Sequence, residues 1–359
     1  MRIFSALVII VAVVGYGACH FCAPSAIAKP NDDDEKTKKQ APTAPKDTLP
    51  EKIKLGVTPL GYEELPDDPE DNPTTDEKVA LGRKLFFDTR LSKDNTVSCA
   101  SCHRPDHGFA SPEKIAVGIN GRVGKRNAPS LLNRAFGKTF FWDGRVKTLE
   151  EQALEPLSNP DEFGNSVEAV MKMLRGDETY VKMFAAAFDA DDKPEKNITP
   201  ENYGKAVASF ERSLIYGDSK VDRFRAAKYA SLDRKARQGL WIFESSGGCW
   251  KCHNGDNLSD EKFHNTGVGF DQKSRDAGRF EHTGDEDHRF TFKTPALRGV
   301  SETAPYMHDG SVATLKDVVE FYNKGGSPKD SKLDRKMKPL NLSEEEVGFL
   351  VAFLEALSK

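Results

Sequence analysis

Two copies of the pentapeptide Cys-x-x-Cys-His, Cys99-Ala100-Ser101-Cys102-His103 and Cys249-Trp250-Lys251-Cys252-His253, combine the residue types that fix a haem covalently. Two thiols one helical turn apart can form thioethers with the vinyl groups of one macrocycle, and the His that follows can ligate its iron. Structural zinc is the competing use of Cys-x-x-Cys pairs. Here the pairs lie 150 positions apart, and each is followed at once by His rather than after the gap found in zinc fingers. The pattern predicts two covalently attached c-type haems, one on each motif.

The other cysteines, Cys19 and Cys22, fall in a segment with Arg2, an apolar run from Ile3 to Val14, and Ala26-Ile27-Ala28 ahead of Lys29-Pro30. Residues 1–28 thus read as a secretory signal cleaved near Ala28, and the run is too short to span a bilayer. Lipidation at Cys19 is the rival reading, for which Tyr16-Gly17-Ala18 is a poor lead-in. Cleavage removes Arg2 alone among the charged residues, taking the formal charge from -4 to -4 - 1 = -5. Export fits the motifs, because bacterial haem attachment is completed outside the cytoplasm and the mature chain then has no spare thiol. The expected location is the periplasm.

The elements that must hold the motifs are helical. Residues 29–52 are charged, proline-bearing and poor in large apolar residues, and read as a disordered tether. The remainder suffices for two domains, 53–216 and 217–359, one haem motif in each, with Gly217-Asp218-Ser219-Lys220 as the hinge. Thr74-Thr75-Asp76-Glu77 reads as a capping box before Val79, Leu81, Leu85 and Phe86. Thr199-Pro200-Glu201 opens a stretch with Val207, Phe210, Leu214 and Ile215 on one face, and Ser343 to Glu346 caps another with Val347, Leu350, Val351 and Leu354. Polar loops, 104–134 and 254–310, separate the helices. The expected fold is mainly α, two cytochrome c-like domains each wrapped around a haem.

The order of motifs resembles the bacterial di-haem cytochrome c peroxidase family, including its MauG-like members. The resemblance is carried by Leu81 to Phe87, the first haem motif, Arg126-Asn127-Ala128-Pro129-Ser130, Phe141-Trp142-Asp143-Gly144-Arg145 and Leu149-Glu150-Glu151-Gln152-Ala153. It continues through Pro156 to Glu162, Phe210-Glu211-Arg212, the second haem motif, Thr294 to Arg298, and Ala304 to Gly310, spanning nearly all of residues 55–359. It implies that hydrogen peroxide reacts at the first haem while the second passes electrons. Glu162 is then the acid-base group beside the first haem, and Trp142 the aromatic residue between the two. Taken alone, Glu162 reads as a helix-start carboxylate and Trp142 as core packing.

Two departures from the commoner peroxidase pattern stand out. Between His107 and Trp142 there is no histidine, so the resemblance implies a first haem without a displaceable loop ligand. His107 follows the proximal His103 too closely to reach the opposite haem face. On the stretch after Thr314-Leu315, the position that family members fill with an iron-ligating Met holds Tyr322, with Met307 as the rival ligand. A phenolate favours ferric iron where a thioether favours ferrous. The resemblance also implies a calcium ion between the domains, bound by the side-chain oxygen of Asn127 and the carbonyls of Thr303 and Pro305.

Among the remaining candidates, Arg298 is expected to pair with a haem propionate. His308 is expected to play a structural or propionate-side role. His264, His282, His288 and the cluster Asp285-Glu286-Asp287 are expected in solvent, and Trp250 at the surface or facing a partner. Nothing in the chain suits nucleic acid. The preferred function is a periplasmic di-haem peroxidase fed by a small cytochrome or copper protein. Peroxide-dependent oxidation of a residue on a partner protein, and a non-enzymatic electron carrier, are the alternatives; a homodimer is admissible for each.

Overall fold

Thr75 has extended backbone and accepts the Lys78 amide on its side chain, starting helix α1 (Asp76–Phe87). This cap lies one residue beyond the expected box, because the Thr74 hydroxyl and amide are taken by Asp68 at 2.8 and 2.6 Å. The computed structural model describes residues 45–188 and 193–359. The export signal, Cys19, Cys22 and residues 29–44 of the tether lie outside the described residues. The described residues form one compact unit.

The helices follow as α2 (Cys99–Cys102), α3 (Leu149–Ser158), α4 (Val167–Arg175), α5 (Glu178–Ala187), α6 (Pro200–Arg212) and α7 (Lys220–Arg225). After them come α8 (Arg234–Glu244), α9 (Phe280–Thr283), α10 (Leu315–Asn323) and α11 (Glu344–Glu355). The one sheet among the described residues pairs β1 (Phe263–His264) antiparallel with β2 (Phe292–Lys293). The fold is mainly helical and cytochrome c-like, as expected. Thr199 caps α6 with Pro200 in its first turn, and Ser343 with Glu346 forms a capping box on α11.

Two apolar cores lie on either side of Gly217–Lys220. The first joins Leu81 and Leu85 of α1, Leu157 of α3, Phe184 of α5 and Tyr203 of α6. The second joins Phe243 of α8, Val319 of α10 and Phe353 of α11. Each core contains the same crossing. A Cβ at Gly82 of α1 would stand 2.0 Å from the Ala206 carbonyl oxygen of α6, and one at Gly239 of α8 would stand 1.9 Å from that of Phe349 on α11. One turn further, Phe86 meets Phe210 at 5.0 Å and 55°, and Phe243 meets Phe353 at 4.8 Å and 48°. Glycine is required at both positions because backbone meets backbone.

The repeat extends to a turn and helix. Residues 140–151 and 306–317 each close an antiparallel bridge, Phe140 to Val146 and Tyr306 to Val312. Both turns place their second residue in the left-handed region, Phe141 at φ 64° and Met307 at 73°. Both end in a Thr cap, Thr148 on α3 and Thr314 on α10. In this register Trp142 corresponds to His308, Asp143 to Asp309, Gly144 to Gly310, and Pro156 to Tyr322.

One correction concerns the tether. Its end is docked rather than free: Arg83 of α1 pairs with Asp47 and donates to the Leu49 carbonyl at 2.9 Å, while Leu49, Ile53 and Leu55 pack on a cluster holding Phe86 and Ala100. Composition undervalues this stretch because one guanidinium gathers its carbonyls.

Candidate haem sites and the seam between them

The single turn of α2 starts from Ser98, whose amide donates to the Ser101 hydroxyl oxygen at 3.0 Å, and it sets Cys99 and Cys102 one turn apart. His103 ends it. The Nδ1 of His103 lies 3.0 Å from the Pro129 carbonyl and 3.2 Å from that of Phe109. Both partners only accept, so Nδ1 carries the proton and Nε2 is left with its lone pair. Burial lowers the His103 pKa, which keeps the ring neutral and able to ligate. The second motif repeats the arrangement from a Gly248 in the left-handed region, with His253 Nδ1 donating to the Leu258 carbonyl at 3.0 Å.

The four motif cysteines are free, and four thiols converging on one metal is not what the described residues show. The one group of three metal-capable side chains among them is Cys252, Asp260 and His264. Two free thiols beside an imidazole with an uncommitted Nε2 is the donor set for a covalent haem. Both motifs fit it.

Glu162 is not on a helix start. It lies between α3 and α4, where its amide donates to the Asn159 carbonyl at 3.1 Å and its carboxylate accepts from Asn159 Nδ2 at 2.7 Å. The buried Phe163 beside it donates its amide to the Pro156 carbonyl at 3.2 Å, tying this loop back to α3. Burial raises the Glu162 pKa, against the pull of Arg145 and the Asn159 bond. Burial pushes the Cys102 thiol up to about 12, and the charge of Glu162 adds to this shift, so the carboxylate lies near the first motif.

In the second half, Thr314 caps α10, whose Leu315 and Val319 enter the core. Tyr322, near the end of α10, has its phenol pKa raised by burial and then by the nearby Cys252 and Cys249. The structure thus brings Tyr322 to the second motif as Glu162 is brought to the first. At the position equivalent to Tyr322, α3 carries Pro156, whose side chain has no donor atom. Met307 sits in the turn next to His308.

The seam between the halves runs through Trp142. Its indole N–H donates to the Asn127 carbonyl at 2.9 Å, and its ring meets His308 edge-on at 6.5 Å. His308 stacks on Phe292 at 3.6 Å. Asn127 donates its amide to the His308 carbonyl at 2.8 Å and its side-chain nitrogen to that of Glu113 at 2.9 Å, which leaves Oδ1 as an acceptor. His107 contacts the Ala304 carbonyl, so it is pinned to the seam. Arg126 joins Asp143 and, at 2.6 Å, Asp276 across it. Against the upward push of burial, Arg126 and Arg145 hold the Asp143 pKa low.

Arg298 and His264 both find partners far along the chain. Arg298 pairs with the buried Asp222 at 2.7 Å and donates to the Asp256 and Gly61 carbonyls at 2.6 and 2.7 Å, which commits three of its five N–H groups. His264 is not in solvent, being held between Asp260 at 2.9 Å and Asp334 at 2.5 Å. Burial lowers its pKa, but contacts with Cys252, Asp334 and Asp260 outweigh this and set it at about 9. The exposed His282 reaches Asp143 at 3.2 Å, and His288 is half-exposed. In the acidic cluster, Glu286 pairs with Arg289 and Lys332 at the surface. The Pro156–Tyr322 equivalence was open to sequence reading, since the two Asp-Gly-x-Val-x-Thr-Leu segments align without a gap.

A helical pair of repeated halves, each presenting a haem-attachment motif, defines a di-haem protein of cytochrome c type. The family model described as di-haem cytochrome c peroxidase matches residues 76–230, and one described as RoxA-like, cytochrome c-like matches 291–323. The methylamine utilization protein MauG of Methylorubrum extorquens is 39% identical over 291 residues, 80% of this chain and 80% of that protein. Cytochrome c551 peroxidase of Nitrosomonas europaea is 34% identical over 288 residues, 80% and 81% of the two chains. The crystal structure of a MauG-like protein associated with microbial copper homeostasis superposes with a TM-score of 0.76 at 32% identity, covering 88% of this chain and 96% of that one. The chain belongs to the di-haem cytochrome c peroxidase family. It is an oxidoreductase that uses peroxide.

Proposed function

We propose that the chain reduces hydrogen peroxide in the periplasm at the haem held by Cys99, Cys102 and His103, within a domain of residues 53–216. Electrons reach it through the haem held by Cys249, Cys252 and His253, within residues 217–359. The observation that carries this division is the asymmetry of the repeat: Tyr322 stands beside the second motif, where α3 has the donorless Pro156, and Glu162 lies near the first. In this reading Tyr322 would hold the second haem's iron, and Pro156 at the equivalent place would offer the first no donor.

The haems supply redox-active iron; the chain supplies proton handling and placement. Glu162, oriented by Asn159, takes a proton from the near oxygen of peroxide and returns it to the departing one, so that H2O2, two protons and two electrons yield two waters. Trp142 relays electrons across the seam. Asn127 Oδ1 and the Thr303 and Pro305 carbonyls would hold a calcium ion that braces the seam; among the described residues no donor occupies those two carbonyls. The electrons come from a small cytochrome or copper protein. Tyr322 also favours a second reading, oxidation of a residue on a partner protein, since a phenolate stabilises the ferric state.

The test is the spectrum of the peroxide-treated diferric holoprotein, with and without reductants. The expected result is reaction without pre-reduction, followed by rapid return only when a donor is present. A diferric protein inert until half-reduced would show that a ligand blocks the first iron.

A further inference from the structure

The two haem motifs differ in what lies over them. Ala100, inside the first, is wholly buried in the cluster on which the docked Leu49, Ile53 and Leu55 pack. Trp250, at the same place in the second, is 47% exposed. Tyr229 and Trp241 are 63% and 62% exposed, and with Trp250 they are the exposed large aromatics among the described residues. All three fall within residues 220–251. That stretch holds eight Lys and Arg against three Asp and Glu, in a chain with 52 against 56. Of those three acids, Asp222 is buried against Arg298 and Glu244 is paired with Arg225.

These residues are contiguous. Arg237 lies 5.1 Å above Phe224, whose ring meets Tyr229 edge-on at 5.7 Å. Trp241 is one turn beyond Arg237 on the exposed side of α8, whose opposite side packs on α11 through Gly239 and Phe243. The Trp241 carbonyl then accepts the Ser245 hydroxyl, at the turn leading directly to Cys249. A basic, aromatic surface therefore runs up to the second haem motif on the face that the first half covers with its own chain.

We propose that this surface docks a small acidic redox protein, which delivers electrons to the second haem. The inference rests on the reading that electrons enter there. Exposed indoles flanked by Lys and Arg suit a transient interface, where aromatic contact fixes the geometry and opposite charge speeds encounter. The chain as a whole is weakly acidic, so a locally basic face favours an acidic partner in one orientation.

The experiment is stopped-flow reduction of the full-length diferric holoprotein, without peroxide, by a small acidic c-type cytochrome and by basic mitochondrial cytochrome c. Lys228→Glu/Lys235→Glu and Trp241→Ser are compared with the unaltered chain. At low salt the charge reversal should slow the acidic donor about tenfold and flatten its salt dependence, without slowing the basic one. Trp241→Ser should slow the acidic donor at all salt concentrations. Peroxide turnover driven by ascorbate should stay unchanged in both variants. If the unaltered chain fails to turn over peroxide with ascorbate, the functional reading falls while the docking result stands separately. Equal rates with the acidic donor in all three proteins would overturn the proposal. So would loss of binding to phosphatidylglycerol vesicles, or of self-association, with no change in that rate.

Discussion

Replacing Pro156 by Tyr tests whether the repeat governs iron access. Pro156 lies eight residues after the Thr148 cap of α3, as Tyr322 lies eight residues after the Thr314 cap of α10. It is half-buried, so a larger side chain has somewhere to go. Proline in a helix interior costs about 3 kcal/mol relative to alanine, and its replacement restores a backbone donor, so the helix gains rather than loses stability. A phenolate held on the first iron by only about 2.8 kcal/mol leaves about one molecule in a hundred open, each 1.4 kcal/mol being tenfold. Peroxide consumption should therefore fall at least about a hundredfold in Pro156→Tyr, and the high-spin electron paramagnetic resonance signal of one haem per chain should disappear. Pro156→Ala should keep both signal and rate. A high-spin signal that persists in Pro156→Tyr, with unchanged peroxide kinetics, would refute the mapping of the repeat onto the irons.

Glu162→Gln should retain both haems yet slow peroxide activation by at least about a hundredfold in rapid-mixing experiments. The carboxylate must be ionised to take a proton and its pKa is raised above 4.5, so the rate should fall as pH drops through that raised value, and this acid limb should vanish in the variant. Tyr322→Phe should alter the low-spin resonance of the second haem; an unchanged spectrum would transfer the ligand to Met307. Gly239→Ala sets a methyl 1.9 Å from a backbone oxygen, and overpacking of about 1–3 kcal/mol should lower the melting temperature by several degrees, measurable by calorimetry.

Legibility followed the range of the interactions. The starts of α6 and α11 are written within four residues, Thr199-Pro200-Glu201 and Ser343 to Glu346, and local spacing suffices to place them. The haem motifs are equally local. Arg298 and His264 are not, because their partners come from afar: Asp222 and Gly61 for the first, Asp334 for the second. A polar loop that looks solvated in one dimension is buried by chain that arrives later. The docked end of the tether fails for the same reason, since Arg83 reaches back across more than thirty positions. Glu162 is intermediate: its bond to Asn159 is local, but its nearness to Cys102 needs the fold.

Duplication gives the differences between halves their meaning. Where the halves agree, as at Gly82 and Gly239, geometry alone compels the residue. Where they differ within an identical turn, the scaffold does not account for the change. Trp142 and His308 are such a pair, and they meet each other across the seam. The Trp142 indole N–H points at a backbone carbonyl, which accepts a hydrogen bond but cannot take the proton, so electron loss from that ring is not tied to proton loss there. Burial pushes the His308 pKa down to about 4, so at neutral pH the imidazole beside it is uncharged and does not repel an electron-deficient indole. A second protonatable ring held as a cation would raise the cost of a positive charge on Trp142; a neutral one stacked on Phe292 does not. The repeat thus places a relay on one side of the seam and an electrostatically quiet neighbour on the other.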